Sequence, residues 1–346
     1  MPTDQHYKIL FVSSELHPFA KTGGLGDVSG SLPKALSALD QDVRILIPAY
    51  HFAIQKATQL NYIAQISITP LALAGTSTKI DKISILETLL PSSNARVWMV
   101  DCPALYIRPG GPYQNEQGHD WHDNAARFAL LNHVAVEIAM GRTRLNWQPD
   151  IVHCNDWQTG LVAALLHREA LNRENGKLTV PTDVYLPPIP ATVFTIHNMA
   201  HMGIFSREVF EQLNLDFNLW NHHELEFHGQ FSFIKGGLTF SDRVNTVSPT
   251  YAKEIQTEEF GYGLDSLLQH RADRLSGILN GIDLHEWDPA ADPHIEANYS
   301  TKSLKNKELN KTALLQHFGM PKKKKTVLLG MVARLVYQKG VDLLLE

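Results

Sequence analysis

The chain of 346 residues has only two cysteines, Cys102 and Cys154, and no Cys-x-x-Cys. That excludes a zinc ribbon and a thioredoxin-type motif. Each cysteine ends an apolar run, so both are expected as buried, reduced thiols of a cytoplasmic protein. No apolar run approaches the ~20 residues of a membrane span. The N-terminus, Met1-Pro-Thr-Asp-Gln-His-Tyr-Lys, lacks the apolar core of a signal peptide. Both absences point to the cytosol. Basic charge is also short: 31 Lys and Arg stand against 36 Asp and Glu, a formal net charge of -5. This argues against a nucleic-acid binder or a binder of acidic membranes. The four lysines Lys322 to Lys325 precede an apolar run and read as its solvated flank. There is no internal repeat and no low-complexity tract. What remains is an ordinary globular mix, 44% hydrophobic and 19% charged, long enough for roughly two domains.

The most informative stretch is Lys21-Thr-Gly-Gly-Leu-Gly-Asp-Val-Ser-Gly-Ser-Leu-Pro33. Gly23, Gly24 and Gly26 let the backbone turn and approach a ligand closely. A helical spacing follows at Val28, Leu32, Ala35, Leu36 and Leu39, with Asp27 as the expected N-cap. A helix starting there aims its free N–H groups at the loop, and Lys21 adds an ammonium. Together they suit an anionic, oxygen-rich ligand such as a sugar phosphate. A plain strand-to-helix turn would show the same glycines.

Around this stretch the pattern is α/β. Tyr7 to Val12 and Val43 to Ile47 read as buried strands flanking the helix, a βαβ unit that implies a parallel sheet. Ile63 to Ile68 and Ile80 to Leu86 read as a hairpin inserted into a doubly wound pattern, and Val97 to Val100 as a strand. Asp123 to Met140 and Thr159 to Ala170 read as helices, Asp150 to Cys154 and Thr192 to Ile196 as strands. Asn172 to Pro190 reads as an exposed excursion. A helix is expected over Gln230 to Phe240, strands over Val244 to Val247 and Leu275 to Leu279, and helices over Pro249 to Ile255 and Leu304 to Phe318. A further strand is expected over Lys325 to Val332, with Gly340 opening a helix. Several strands end in polar residues: Asn155-Asp156, His197-Asn198, Asn280 to Asp283 and Arg334. In open α/β sheets ligands sit at the carboxyl ends of strands.

Six motifs occur in order: Lys21-Thr-Gly-Gly-Leu-Gly-Asp-Val, His153-Cys-Asn-Asp-Trp157, Thr195-Ile-His-Asn198, Asn245-Thr-Val-Ser-Pro-Thr-Tyr251, Asn280-Gly-Ile-Asp283 and Arg334-Leu-Val-Tyr-Gln-Lys-Gly340. In this order they resemble bacterial glycogen synthases and plant starch synthases, glycosyltransferase family 5, from about Ile9 to the last residue. The resemblance implies the GT-B architecture: residues 1–270 as a Rossmann-like domain on the glucan side, and 271–346 as a linker plus the start of a second, nucleotide-sugar-binding domain. It implies transfer of glucose from ADP-glucose to the 4-hydroxyl at the non-reducing end of an α-1,4-glucan, with retention and without a metal or other cofactor. The partners it implies are ADP-glucose and glycogen.

By the same resemblance, Lys21 contacts ADP-glucose while Gly23 and Gly24 let the backbone approach. Asp27, Asn198 and Asn280 are further substrate-binding candidates. His197 sits against the transferred glucose. Asp156 binds sugar hydroxyls or shapes the acceptor site without serving as a covalent nucleophile. Arg334 and Lys339 hold the leaving diphosphate. Read singly, His197 is a strand-end histidine, Asp156 a helix cap, and Arg334 and Lys339 surface charge.

Asn221-His-His-Glu with His228 matches no recognised zinc spacing. Trp121, Trp157 and Tyr113 are either glucose-stacking aromatics or anchors of core and loop. The family's later donor-site segments are absent, so the chain is expected to be a fragment with little or no activity by itself. Two other readings compete. A glucan-binding fragment without turnover predicts retention on glycogen. An NAD(P)-dependent oxidoreductase would explain Gly24-Leu-Gly26 and Gly30. However, its fingerprint should follow the strand directly, and Ile47-Pro-Ala-Tyr50 offers no acidic residue for the ribose.

Overall fold

The computed structural model describes residues 5–72, 79–176, 187–321 and 327–344. Lys322 to Lys325, most of the Asn172 to Pro190 excursion and the last two residues lie outside the described residues. The chain divides into two compact units, Met1–Gly281 and Ile282–Glu346.

The described residues of the first unit form twelve strands: β1 (Lys8–Val12), β2 (Asp42–Pro48), β3 (Asn61–Ala72), β4 (Lys79–Leu89), β5 (Arg96–Asp101), β6 (Ile151–Asn155), β7 (Ala191–Ile196), β8 (Ile204–Phe205), β9 (Glu226–Phe227), β10 (Gln230–Ser232), β11 (Arg243–Thr246) and β12 (Leu275–Gly277). Nine form one sheet in the order β12-β11-β7-β6-β1-β2-β5-β4-β3. β4 pairs antiparallel with both β3 and β5, and the other neighbours in the sheet are parallel. The expected hairpin therefore extends the main sheet at β5. β12, which the sequence reading put beyond residue 270, is hydrogen-bonded to β11 within the first unit.

The central strands are apolar on both faces because both are covered. Leu10, Phe11 and Val12 of β1 and Ile45, Leu46 and Ile47 of β2 are fully buried, as parallel strands between helix layers require. Helix Gly24–Ala38 makes the crossover from β1 to β2. Helices Asn124–Ala139, Leu161–Glu174 and Phe233–Phe240 make the crossovers that run toward β6, β7 and β11. Right-handed connections leading in opposite directions place these helices on opposite faces. Helix Asn124–Ala139 is buried nearly all round. Both cysteines are free and buried.

Three sequence expectations are corrected. Helix Gly24–Ala38 starts three residues before Asp27; its N-cap is the extended Gly23, which has no side chain to cap with. Gln230–Ser232 is a strand, paired antiparallel with β8 and β9. The helix begins only at Phe233, where the Ser232 hydroxyl caps it by accepting from Lys235 N. The third correction lies in the second unit. Helix Lys307–His317 forms, but residues 327–332 form no strand. Leu329 and Val332 are exposed, and among the described residues no neighbouring strand offers a hydrogen-bonding ladder, without which an extended segment has no stable pairing. Gly340 closes the short turn Tyr337–Lys339 in a left-handed conformation, and a one-turn 3-10 helix, Asp342–Leu344, follows it. Among the described residues, no helix is long and apolar enough to cross a membrane.

Candidate active site at the strand ends

β1, β6 and β7 are adjacent and parallel, so the segments that leave their carboxyl ends emerge together. After β1 come Glu15 and the Lys21–Gly24 loop, after β6 Asp156, and after β7 His197 and Asn198. Topology thus gathers residues that the sequence separates by more than a hundred positions.

Glu15 is 3% exposed. One carboxylate oxygen accepts the Thr22 N–H at 2.6 Å and the Gly23 N–H at 3.2 Å; the other accepts the Thr22 hydroxyl at 2.6 Å and the Tyr113 hydroxyl at 2.7 Å. The loop's first two amides are therefore already occupied by a protein anion. Lys21 Nζ lies 2.6 Å from Asp27 Oδ1, with both side chains about half exposed. Asp27 thus partners Lys21 rather than capping the helix. Space beside the loop is open: a Cβ added at Gly23 or Gly24 would meet no protein atom within 4 Å. Packing does not demand glycine at either position.

Asp156 sits at φ 57°, ψ 178°, a region costly for any residue with a Cβ and a recurrent mark of functional sites. Its Oδ1 accepts the His197 N–H at 2.7 Å and the Asn198 N–H at 3.3 Å. The next amide, Met199 N–H, donates to the Tyr251 hydroxyl at 3.0 Å. Three successive amides of the turn after β7 are thus clamped by two side chains from other segments. Burial raises the Asp156 carboxyl to about 7, against the pull of those two amide hydrogen bonds. The His197 ring nitrogen Nε2 lies 3.0 Å from Asn155 Oδ1. Burial lowers this imidazole to about 4, so it is neutral at pH 7. Beside burial, the Glu15 charge adds only a smaller upward push at both Asp156 and His197.

Below this layer a polar row crosses three strands. His153 Nε2 lies 2.7 Å from Thr195 Oγ1, which donates to Asn245 Oδ1 at 2.7 Å. The Trp157 indole packs edge-on against Phe128 and Phe233. Over it passes Gly203 at φ +58°, where an added Cβ would stand 2.2 Å from the ring. Trp157 is therefore a core anchor that supports the 197–203 turn, and Tyr113 is a loop anchor through Glu15.

One expected residue of the first unit stands apart from this group. Asn280 is exposed and follows the edge strand β12, which β11 separates from β7. Arg334 and Lys339 are exposed residues of the second unit. Among the described residues, no group of three His, Cys, Asp or Glu side chains is arranged to hold a metal ion. The sequence reading gave no role to Glu15, Thr22 or Tyr251. Glu15 carried a usable signal: a carboxylate three residues past the end of a buried strand. Tyr251 gave no such signal, because its partner is a backbone amide in the turn after β7, distant in sequence.

A sequence profile described as the starch synthase catalytic domain matches residues 8–270. "Glycogen synthase 1" of Methylococcus capsulatus is 51% identical over 339 residues, covering 98% of this chain and 63% of the relative. The glycogen synthase of Thioalkalivibrio sulfidiphilus is 48% identical, with 98% and 65% covered. The solved catalytic domain of Starch Synthase IV from Arabidopsis thaliana, bound to ADP and acarbose, superposes with a TM-score of 0.80 at 30% identity. It covers 98% of this chain, which spans 65% of that one. The chain thus spans somewhat less than two thirds of the relatives it matches. With the profile covering most of the first unit and near-half identity throughout, the chain belongs to the starch synthase catalytic domain family, glycosyltransferase family 5.

Proposed function

We propose that this chain is the acceptor-side part of a glycogen synthase. In this reading it moves glucose from ADP-glucose to the non-reducing 4-hydroxyl of an α-1,4-glucan, with retention at the anomeric carbon. The observation that carries the reading is the convergence of the Lys21 loop, Asp156 and His197 at three adjacent strand ends.

Each group has a role that its surroundings suit. Lys21 exchanges its half-exposed pairing with Asp27 for the donor's diphosphate, at little cost because exposed pairs are worth about 1 kcal/mol at most. Open space at Gly23 and Gly24 admits the ligand to the backbone. Neutral His197 offers a ring nitrogen to the transferred glucose without adding charge. Asp156 fixes the turn that carries His197, and its committed Oδ1 suits a shaping role rather than nucleophilic attack. Positive charge stabilises the leaving diphosphate, and Arg334 and Lys339 are the residues proposed to supply it. The leaving phosphate takes the proton of the acceptor hydroxyl as the new glycosidic bond forms, so no protein base is required.

The reading is tested by following glucose from labelled ADP-glucose into maltoheptaose, using the protein at the length of its relatives. Incorporation that is lost in Lys21→Ala and His197→Ala, with both variants folded, is the expected result. Incorporation unaffected by either change would refute the assignment, and faster use of UDP-glucose would refute the donor.

A further inference from the structure

Glu15 gathers its donors from two loops far apart in sequence. Three come from the glycine loop: the Thr22 N–H, the Thr22 hydroxyl and the Gly23 N–H. The fourth is the hydroxyl of Tyr113, which lies between β5 and helix Asn124–Ala139. Among the described residues no cation pairs with this buried carboxylate, so neutral donors alone hold it. A buried charge left short of a donor is costly, and each hydrogen bond to it is worth more than a neutral one.

Tyr113 is itself rigidly placed. Its carbonyl accepts from Trp121 N at 2.9 Å and Asn124 Nδ2 at 3.0 Å. The fully buried Arg127 guanidinium donates to Pro112 O at 2.7 Å, to Asn124 Oδ1 at 2.7 Å and to Leu105 O at 3.0 Å. It thereby fastens the loop on both sides of the proline that precedes Tyr113. The Tyr113 ring packs against Phe128, and its oxygen also lies 2.8 Å from Ser14 Oγ. The hydroxyl is thus a fixed point, whereas the glycine loop borders open space.

We propose that Tyr113 is a positioning residue for this site, holding the Lys21–Gly24 loop in its ligand-ready form through Glu15. The inference rests on the reading of that loop as the ADP-glucose contact. The role is one of geometry rather than charge. Glu15→Gln preserves it, because the amide oxygen still accepts the two backbone N–H groups. The amide nitrogen then faces the Thr22 and Tyr113 hydroxyls, which turn to accept from it. Tyr113→Phe breaks the tether while keeping the ring in its packing.

The test compares parent, Tyr113→Phe, Glu15→Gln and Glu15→Ala, reading hydrogen exchange at Thr22 and Gly23 in the 346-residue chain and affinity for ADP-glucose in the protein at the length of its relatives. Tyr113→Phe should speed exchange at these amides about tenfold and weaken ADP-glucose about tenfold, because the competent loop is less populated. Exchange in β1 should not change. Glu15→Gln should stay within about twofold of the parent in both readouts. Parental exchange and affinity in Tyr113→Phe would overturn the proposal. Faster exchange throughout the first unit would also overturn it, as a fold defect. A Glu15→Gln variant as impaired as Glu15→Ala would overturn it in favour of charge. A parent chain that fails to bind ADP-glucose would instead refute the functional reading of the loop, leaving the exchange data to decide the tether alone.

Discussion

Replacing Asp156 by asparagine removes one buried charge while keeping an acceptor for the His197 and Asn198 amides. Burial raises this carboxyl from an ordinary 3.8 to about 7 in the folded chain. The folded value lies above the unfolded one. Between about pH 4 and pH 7 the folded state therefore keeps a proton that the unfolded state has lost. The parent's stability is thus full below that window and falls as pH rises through it, by about 1.4 kcal/mol per pH decade. The total reaches about 4 kcal/mol above pH 7. Asparagine stands in for the protonated form and does not titrate. Asp156→Asn should therefore match the parent near pH 4 and exceed it by about 4 kcal/mol near pH 8.5, a rise of roughly 7 °C in Tm for a unit of this size. His153 and His197, both lowered to about 4 by burial, titrate in parent and variant alike and cancel in the difference. Thermal unfolding of both proteins across this pH range is the assay. A difference that does not grow with pH, or a loss that deepens toward alkaline pH, would refute the claim that Asp156 carries a buried, strained charge. In the proposed transfer the same charge organises the His197 turn, so the parent's kcat/KM should drop as pH falls below about 7 and the variant's should be low and flat.

Three other substitutions separate site from scaffold. Lys21→Ala removes only a half-exposed ion pair, so Tm should move by no more than about 2 °C while kcat/KM for ADP-glucose falls about a hundredfold; unchanged kinetics would remove Lys21 from the site. Gly23→Ala adds a methyl where no protein atom lies within 4 Å and φ is already extended. The fold should lose no more than about 1 kcal/mol, while ligand affinity drops because the methyl takes the ligand's space. A variant that unfolds readily would contradict that reading. Gly203→Ala places a Cβ 2.2 Å from the Trp157 ring at φ +58°. It should cost about 3 kcal/mol or more and alter Trp157 fluorescence; a parental melting curve would show that the turn is not seated on the indole.

Much of the frame was legible because local patterning and burial agree. β1, β2, β6 and β7 are compact apolar runs bounded by polar strand ends, and strand–helix–strand spacing leaves few alternatives to a parallel sheet. The errors came where local signals were equivocal. Gln230–Ser232 runs directly into the helix that follows it, and only pairing with β8 and β9 makes it a strand. Asp27 has the chemistry of an N-cap, but Gly23 starts the helix earlier. The apolar segment 327–332 satisfies strand periodicity, yet a strand needs a neighbour that periodicity cannot supply.

For this protein, the order of residues alone determined the parallel α/β frame, the family and the identity of Lys21, Asp156 and His197 as the groups to watch. The frame depends on apolar spacing along the chain; the family and those three groups depend on the resemblance carried by six motifs in order. Only the folded molecule decided that Asp156 grips the His197 and Asn198 amides, that Glu15 already fills the first amides of the glycine loop, and that Tyr113 and Tyr251 steady these contacts. Such bonds join atoms brought within about 3 Å by strand order and crossover direction, and a linear sequence holds no record of distances between segments that meet only when the sheet has formed.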